Sequence, residues 1–286
     1  ANVDTAEELL EAINKGVENI TLDGNIDLND LLTAGTLSTR AAASDVLTVA
    51  AGKNITLDLN GKTISYTKEC TESYSMIVNN GNLTIDDSVG GGKISFTDTS
   101  AGGGSTWGTY TINNYGTLVV NGATIEHLGS TGDWGTNRPT CIPIQNYTGK
   151  VTVNSGVISS PMFRSLRDFT AGGEIIINGG EFKGQVWMQG LGSGSSSLTI
   201  NGGEFAPTAG YDGSSIFITN NTNDINVAVN GGFFNTKIGC NDANKAGVKG
   251  SIVGGTFTAS AIENTNAALI ANGHIAVDNG DGTYNV

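Results

Sequence analysis

The chain has 286 residues, of which 42 are glycine and 4 are proline, and its formal net charge is −13 at pH 7. With 14 Lys and Arg against 27 Asp and Glu, it lacks the clustered cations that neutralise phosphates, which excludes a nucleic-acid partner. No run of 18 apolar residues exists, so no membrane insertion is expected, and a hydrophobic share of 38% suits many thin strands better than one thick core.

At the start, Thr5 followed by Glu8 forms a capping-box pattern. Leu9, Leu10 and Ile13 supply a short amphipathic stripe that Gly16 ends. Residues 1–16 are therefore expected to be a helix that lids whatever follows, because a stack of strands exposes an unpaired apolar edge.

From residue 17 onward one phrase recurs. It reads NITLDLNGKTIS at Asn54–Ser65, TLVVNGATIE at Thr117–Glu126, KVTVNSGVIS at Lys150–Ser159, EIIINGGEF at Glu174–Phe182, SLTINGGEF at Ser197–Phe205 and NVAVNGGFF at Asn226–Phe234. Apolar and polar residues alternate on both sides of the glycines, which predicts two short strands joined by a tight bend. Asn121, Asn154, Asn178, Asn201 and Asn230 are spaced by 33, 24, 23 and 29 residues, as in a solenoid whose coils carry loops of different length.

A second phrase precedes each of these. MIVNNG, TINNYG, PIQNYTG, SLRDFT, WMQGLG and FITNN give an inward set of Ile77, Ile112, Ile144, Leu166, Met188 and Ile218. The accompanying turn set is Asn79, Asn114, Asn146, Asp168, Gly190 and Asn220, an asparagine ladder in which stacked amides bond to one another, with Tyr115, Tyr147 and Phe169 stacking beside it. Two outward rows are expected on this strand. One is Val78, Asn113, Gln145, Arg167, Gln189 and Thr219, and the other is Met76, Thr111, Pro143, Ser165, Trp187 and Phe217.

Two insertions break the repeat, at 96–110 and 127–141, and place Trp107, Asp133, Trp134 and Arg138 among Gly, Ser and Thr, as loop ligand sites often do. After the last coil, 259–271 is expected to be a second helix, and HIAVDNGDGTYNV a hairpin turning near NGDG, so that 258–286 form the C-terminal cap of a single domain. Cys70, Cys141 and Cys240 are too few and too irregular for a disulfide framework. His127 and His274 have no metal-ligand pattern around them, and neither metal nor cofactor is expected.

Three strands per coil, glycine bends, the asparagine ladder and variable loops resemble the right-handed parallel β-helix of the pectate-lyase-like superfamily over residues 17–257. The opening DTAEELLEAINKGVENITLDGNIDL and the closing HIAVDNGDGTYNV resemble the ends of adhesin-like surface proteins of gut-type bacteria. That resemblance implies an all-β solenoid, export with removal of a signal peptide, and an extracellular or cell-surface location. Pectate-type lyases of this fold hold calcium with acidic residues and use Arg or Lys as base. Here Arg167, with Asp168 and Arg164 nearby, stands among amides. Glycosidases need paired carboxylates. Glu181 and Glu204 occupy equivalent positions of adjacent coils with Lys183 close by, so Glu181, Glu204, Arg167 and Asp168 are the fallback catalytic set.

The expected function is non-catalytic: a monomeric adhesin or glycan-recognition module. It would grip a polysaccharide or host glycan through Gln145, Arg167, Trp187 and Gln189, with Trp187 stacking on sugar and Arg167 favouring acidic residues. A lyase or hydrolase acting on an acidic polysaccharide, and a structural spacer, are the alternatives.

Overall fold

The computed structural model describes every residue except 34–44, 101–107, 130–139, 162, 171, 209–212, 220–223 and 241–246. The coils stack into three sheets, of ten, eight and eleven strands among the described residues, parallel throughout except for the C-terminal hairpin. One turn of the right-handed β-helix runs from Thr140–Asn146 in the eight-stranded sheet to Lys150–Val153 in the ten-stranded sheet. It continues through Val157–Ser159 in the eleven-stranded sheet and returns to the first sheet at Arg164–Thr170. Alternation sends every second side chain inward, and the inward rows stack in register. In the eight-stranded sheet the row is Leu47, Ile77, Ile112, Ile144, Leu166, Val186, Ile216 and Ile238, none more than 2% exposed.

The eleven-stranded sheet shows a change of side chain along the axis. Ile64, Ile94, Ile125 and Ile158 give way to Phe182, Phe205, Phe234 and Phe257, whose rings stack at centroid distances of 5.0, 4.9 and 4.7 Å. Each ring pair adds about 1 kcal/mol beyond area burial.

The NGG phrase has separate reasons for its two glycines. A Cβ on Gly179 would stand 2.7 Å from the Asn154 carbonyl of the coil beneath, so the first glycine permits close stacking. Gly180 has φ +95°, which favours glycine at the second position.

The asparagines form two ladders rather than one. Inside, Asn79 Nδ2 donates to Asn114 Oδ1 (2.7 Å), Asn114 to Asn146 (2.9 Å) and Asn146 to Asp168 Oδ1 (3.3 Å). Outside, along the bends, Asn230 donates to Asn201, Asn201 to Asn178, Asn178 to Asn154 and Asn154 to Asn121, each at 2.8 Å. Asn121 donates to Asp86 at 2.5 Å. The two ladders run in opposite directions along the axis, and each ends on an aspartate. A carboxylate only accepts, so it fixes the orientation of the first amide, and each amide then fixes the next.

The inner ladder stops at Asp168 because the register changes there. Arg164 pairs with Gln185 and Leu166 with Val186, so a bulge at Ser165 sets Asp168 opposite Met188. The rung positions beyond are Met188, Ile218 and Cys240. This corrects the expected alignment of Leu166 with Met188 and of Arg167 with Gln189 by two residues. It removes Gly190 from the ladder, while Asn220 lies outside the described residues.

The caps follow their local sequence. The first helix spans Ala6–Lys15, with Thr5 accepting from Glu8 N at 3.3 Å and Gly16 left-handed at the C-cap. The C-terminal helix is shorter than expected: it covers Ala259–Asn264, followed by a 3-10 turn at Ala267–Leu269. Thr265 ends it in an extended conformation while its hydroxyl bonds the Ala261 carbonyl, and Asn266 caps the new turn through Ala268 N. Strands Val277–Asp278 and Thr283–Asn285 form the expected hairpin, which adds antiparallel to the eleven-stranded sheet through Thr256–Thr258.

Candidate functional site

The outer face of the eight-stranded sheet carries a row set by strand register: Val78, Asn113, Gln145, Arg167, Trp187, Phe217 and Gly239. Up to Arg167 this is the expected outward row, and beyond it Trp187 and Phe217 replace Gln189 and Thr219. The other expected row does not hold together: Trp187 and Phe217 join the first row, while Met76, Thr111 and Ser165 turn away from the outer face. Met76 lies in the core, Thr111 Oγ1 donates to the Glu126 carbonyl and Ser165 Oγ to the Gly184 carbonyl. In its place Tyr110 pairs with Ile142 outside the core cluster, and Arg164 lies over the Trp187 ring.

These outward residues are buried, which their alternation alone does not reveal. Gln145 is 2% exposed, Arg164 6%, and Arg167 and Asn113 8% each. Trp187, Gln189, Tyr147 and Phe169 form a half-buried rim, and Tyr115 is exposed.

Aromatic rings position the two guanidiniums. The Arg164 guanidinium carbon lies 3.5 Å from the Phe163 ring centre and 3.6 Å from that of Trp187, so it is clamped between them. Arg167 lies 4.1 Å from the Phe169 ring and 4.7 Å from Trp187. Desolvated contacts of this kind contribute about 2 kcal/mol each. The Arg167 Nε and Nη2 both donate to Gln189 Oε1, at 2.9 and 2.6 Å, and Trp187 Nε1 donates to Thr219 Oγ1 at 2.9 Å. Thus Gln145, Arg167, Trp187 and Gln189, separated in the chain, do meet on this face. However, a face of the Trp187 ring holds Arg164, so the ring works as a guanidinium platform. Stacked rings at the rim come instead from Tyr115, Tyr147 and Phe169, with centroids 4.9 and 5.3 Å apart.

Electrostatically the patch is unusual for so acidic a chain. Burial, and next the adjacent Arg167 charge, push the Arg164 pKa downward, and burial does the same to Arg167. A guanidinium keeps its proton under such pressure, so both cations carry a desolvation cost. Burial raises the pKa of Tyr110, which lies beside Gln145, so this phenol stays protonated at neutral pH. Two amide oxygens here, Gln145 Oε1 and Asn113 Oδ1, have no hydrogen-bond partner. Both atoms are sealed from solvent, so each is a desolvated acceptor that costs stability.

Asp168 points the other way, into the core. It is fully buried, and burial pushes its pKa up to about 6. The Ser196 hydroxyl lies near its carboxyl but outside hydrogen-bonding geometry. Glu181 and Glu204 are paired directly in the eleven-stranded sheet, and Glu181 bridges Lys183 at 3.2 Å, so these carboxylates stand on a different sheet from the arginines. Trp107, Asp133, Trp134 and Arg138 lie outside the described residues. Among the described residues, no three His, Cys, Asp or Glu side chains gather as a metal site requires. His127 is sealed against Phe96 at 4.7 Å, with burial pushing its pKa down to about 3. Cys70 and Cys141 are buried.

Sequence reasoning placed Asn113 in this outward row and Arg164 near Arg167 but left both, with Tyr110, out of the expected ligand-binding set. For Arg164 the signal was the Phe-Arg-Ser-Leu-Arg string, in which both arginines flank an inward Leu. No protein-family model, curated protein or solved structure matches the chain significantly.

Proposed function

We propose that this chain is a non-catalytic glycan-recognition β-helix of the adhesin-like, pectate-lyase-like kind, exported to the outside or the surface of a bacterial cell. The observation that carries this reading is the outer row of the eight-stranded sheet. There, buried amide oxygens without donors continue into stacked arginines, a donor-and-acceptor set suited to sugar hydroxyls and their substituents. Successive strands repeat about every 4.8 Å, so the row lies along the axis as an extended glycan would. A polysaccharide or host glycan is the partner, and Gln145, Arg167 and Gln189 make the polar contacts with Trp187 supporting the arginines.

The competing reading is a lyase or hydrolase, for which the in-register pair Glu181 and Glu204 speaks. Against it stand the Lys183 bridge to Glu181 and the placement of this carboxylate pair on a different sheet from the arginines. A glycan array run beside a degradation assay on uronate-rich polysaccharides tests the proposal. Binding without depolymerisation is expected. Depolymerisation abolished by Glu204→Gln would establish the enzyme instead, and silence in both assays would favour a spacer.

A further inference from the structure

The outer asparagine ladder has a free end. Asn178 donates to Asn154 and accepts from Asn201, and Asn201 donates to Asn178 and accepts from Asn230, each bond at 2.8 Å. Asn230 donates to Asn201, but among the described residues its own Oδ1 receives no bond, because Val253 stands at the next rung where an amide would donate. All three asparagines are exposed, and each is followed by two glycines. At an Asn–Gly step the following backbone nitrogen can reach the side-chain amide, since glycine puts no Cβ in the way. At other such steps that nitrogen is held. Gly61 donates to Asp87 Oδ1 at 2.8 Å, Gly122 to the Ser155 carbonyl at 3.2 Å and Gly280 to Asp278 Oδ1 at 2.8 Å. Gly179, Gly202 and Gly231 donate no such bond among the described residues, so in these bends the ladder is what restrains the amide.

We propose that the Asn230–Gly231 step is a deamidation site, and that the outer ladder opens from it one coil at a time toward Asp86. The Gly231 nitrogen gives up its proton to water and bonds to Asn230 Cγ. The bond from Cγ to Nδ2 breaks, and Nδ2 takes up a proton and leaves as ammonia. Water then opens the five-membered ring at either carbonyl, which gives aspartate or isoaspartate. To react, Asn230 must leave one ladder bond, whereas Asn201 and Asn178 must each leave two. The carboxylate that forms only accepts, so Asn201 Oδ1 loses its donor and Asn201 becomes the next free end.

The test holds the folded chain in mildly alkaline buffer and follows aspartate and isoaspartate at each step by peptide-mapping mass spectrometry. Asn230 should convert about fivefold faster than Asn201 or Asn178, the factor that one net hydrogen bond supplies. In denaturant no ladder exists, and the three steps share the sequence Asn-Gly-Gly, so they should convert at one rate. Asn230→Asp copies the product at an exposed position and should keep wild-type melting. In that variant Asn201 should convert about fivefold faster than in wild type, while Asn178 stays unchanged. Asn272, exposed before Gly273 and outside the ladder, is the reference whose rate should not move. Equal rates at the three steps in the folded chain, or an Asn201 rate indifferent to Asn230→Asp, would overturn the proposal.

Discussion

The outer faces of the ten- and eight-stranded sheets are built on the same coils, and they differ in what they carry. The middle outward row of the ten-stranded sheet reads Thr56, Thr84, Val119, Thr152, Ile176, Thr199 and Ala228, short uncharged side chains that remain partly exposed. The corresponding row of the eight-stranded sheet holds Asn113, Gln145, Arg167, Trp187 and Phe217, larger and mostly buried. Both rows cover well-filled interiors, so the fold itself asks for nothing more than small β-branched residues on an outer face. The ten-stranded face thus acts as an internal control. Buried cations and unsatisfied amides on the other face add strain rather than stability, which is the usual mark of a site kept for binding.

The first way to probe that contrast is to alter what the two faces share. Leu166 is fully buried directly beneath the arginine row, and Leu166→Asp should strand a charge in the core at a cost above about 4 kcal/mol. Chemical denaturation should find the variant unfolded or nearly so. A soluble variant with unchanged melting would contradict the inward row on which the outward row depends.

The ladders come next in size. Asn114→Ala removes a buried rung that bonds Asn79, Asn146 and the Gly116 and Lys150 carbonyls, and should cost about 3 kcal/mol. Asn178→Ala breaks the exposed outer ladder and should cost about 1 kcal/mol. Equal costs for the two would show that burial is not what separates them.

Asp168 makes the inner ladder sensitive to pH. Its folded pKa, near 6, lies above the ordinary aspartate value, so the folded state binds the proton more tightly than the unfolded chain. The stability that this group contributes is fully present below about pH 4 and is lost as pH rises through 6, by roughly 2–3 kcal/mol. Asp168→Asn cannot titrate, so its stability relative to wild type should rise between pH 4 and 7 in paired denaturation curves. A difference that stays flat with pH would remove Asp168 from this role.

The smallest expected effect bears most closely on the comparison of faces. Arg164→Met keeps the packing volume between Phe163 and Trp187 but removes a desolvated cation next to Arg167. Without ligand it should change stability by no more than about 1 kcal/mol in either direction, since the lost ring contacts and the relieved desolvation oppose each other. Thr152→Val on the control face should stay within about 0.5 kcal/mol of wild type. Loss of several kcal/mol from Arg164→Met would mark the arginine as structural.

How much of this was legible in the sequence depends on the physics of each feature. The coils were legible because alternation and the NGG bend are local: one residue out of phase would turn Ile175 and Ile177 outward. A slip of two residues was not legible, because it keeps every side chain on its own face. Val186 and Met188 are equally good partners for Leu166 by pattern, and only the bulge at Ser165 chooses Val186. The outer ladder could be seen as regularly spaced asparagines, but its bonding could not, since Asp86 sits in a phrase without NGG. The burial of Gln145 and Arg167 was also hidden, for alternation reports the direction of a side chain and says nothing about what covers it.

The most direct measurement is the affinity of one array-selected glycan for two variants, Gln145→Leu on the eight-stranded face and Thr152→Leu on the ten-stranded face, each checked for wild-type melting. Recognition by the eight-stranded face predicts a loss of about tenfold in the first and no change in the second. Unchanged binding by Gln145→Leu together with a loss in Thr152→Leu would place the site on the other sheet and contradict the account.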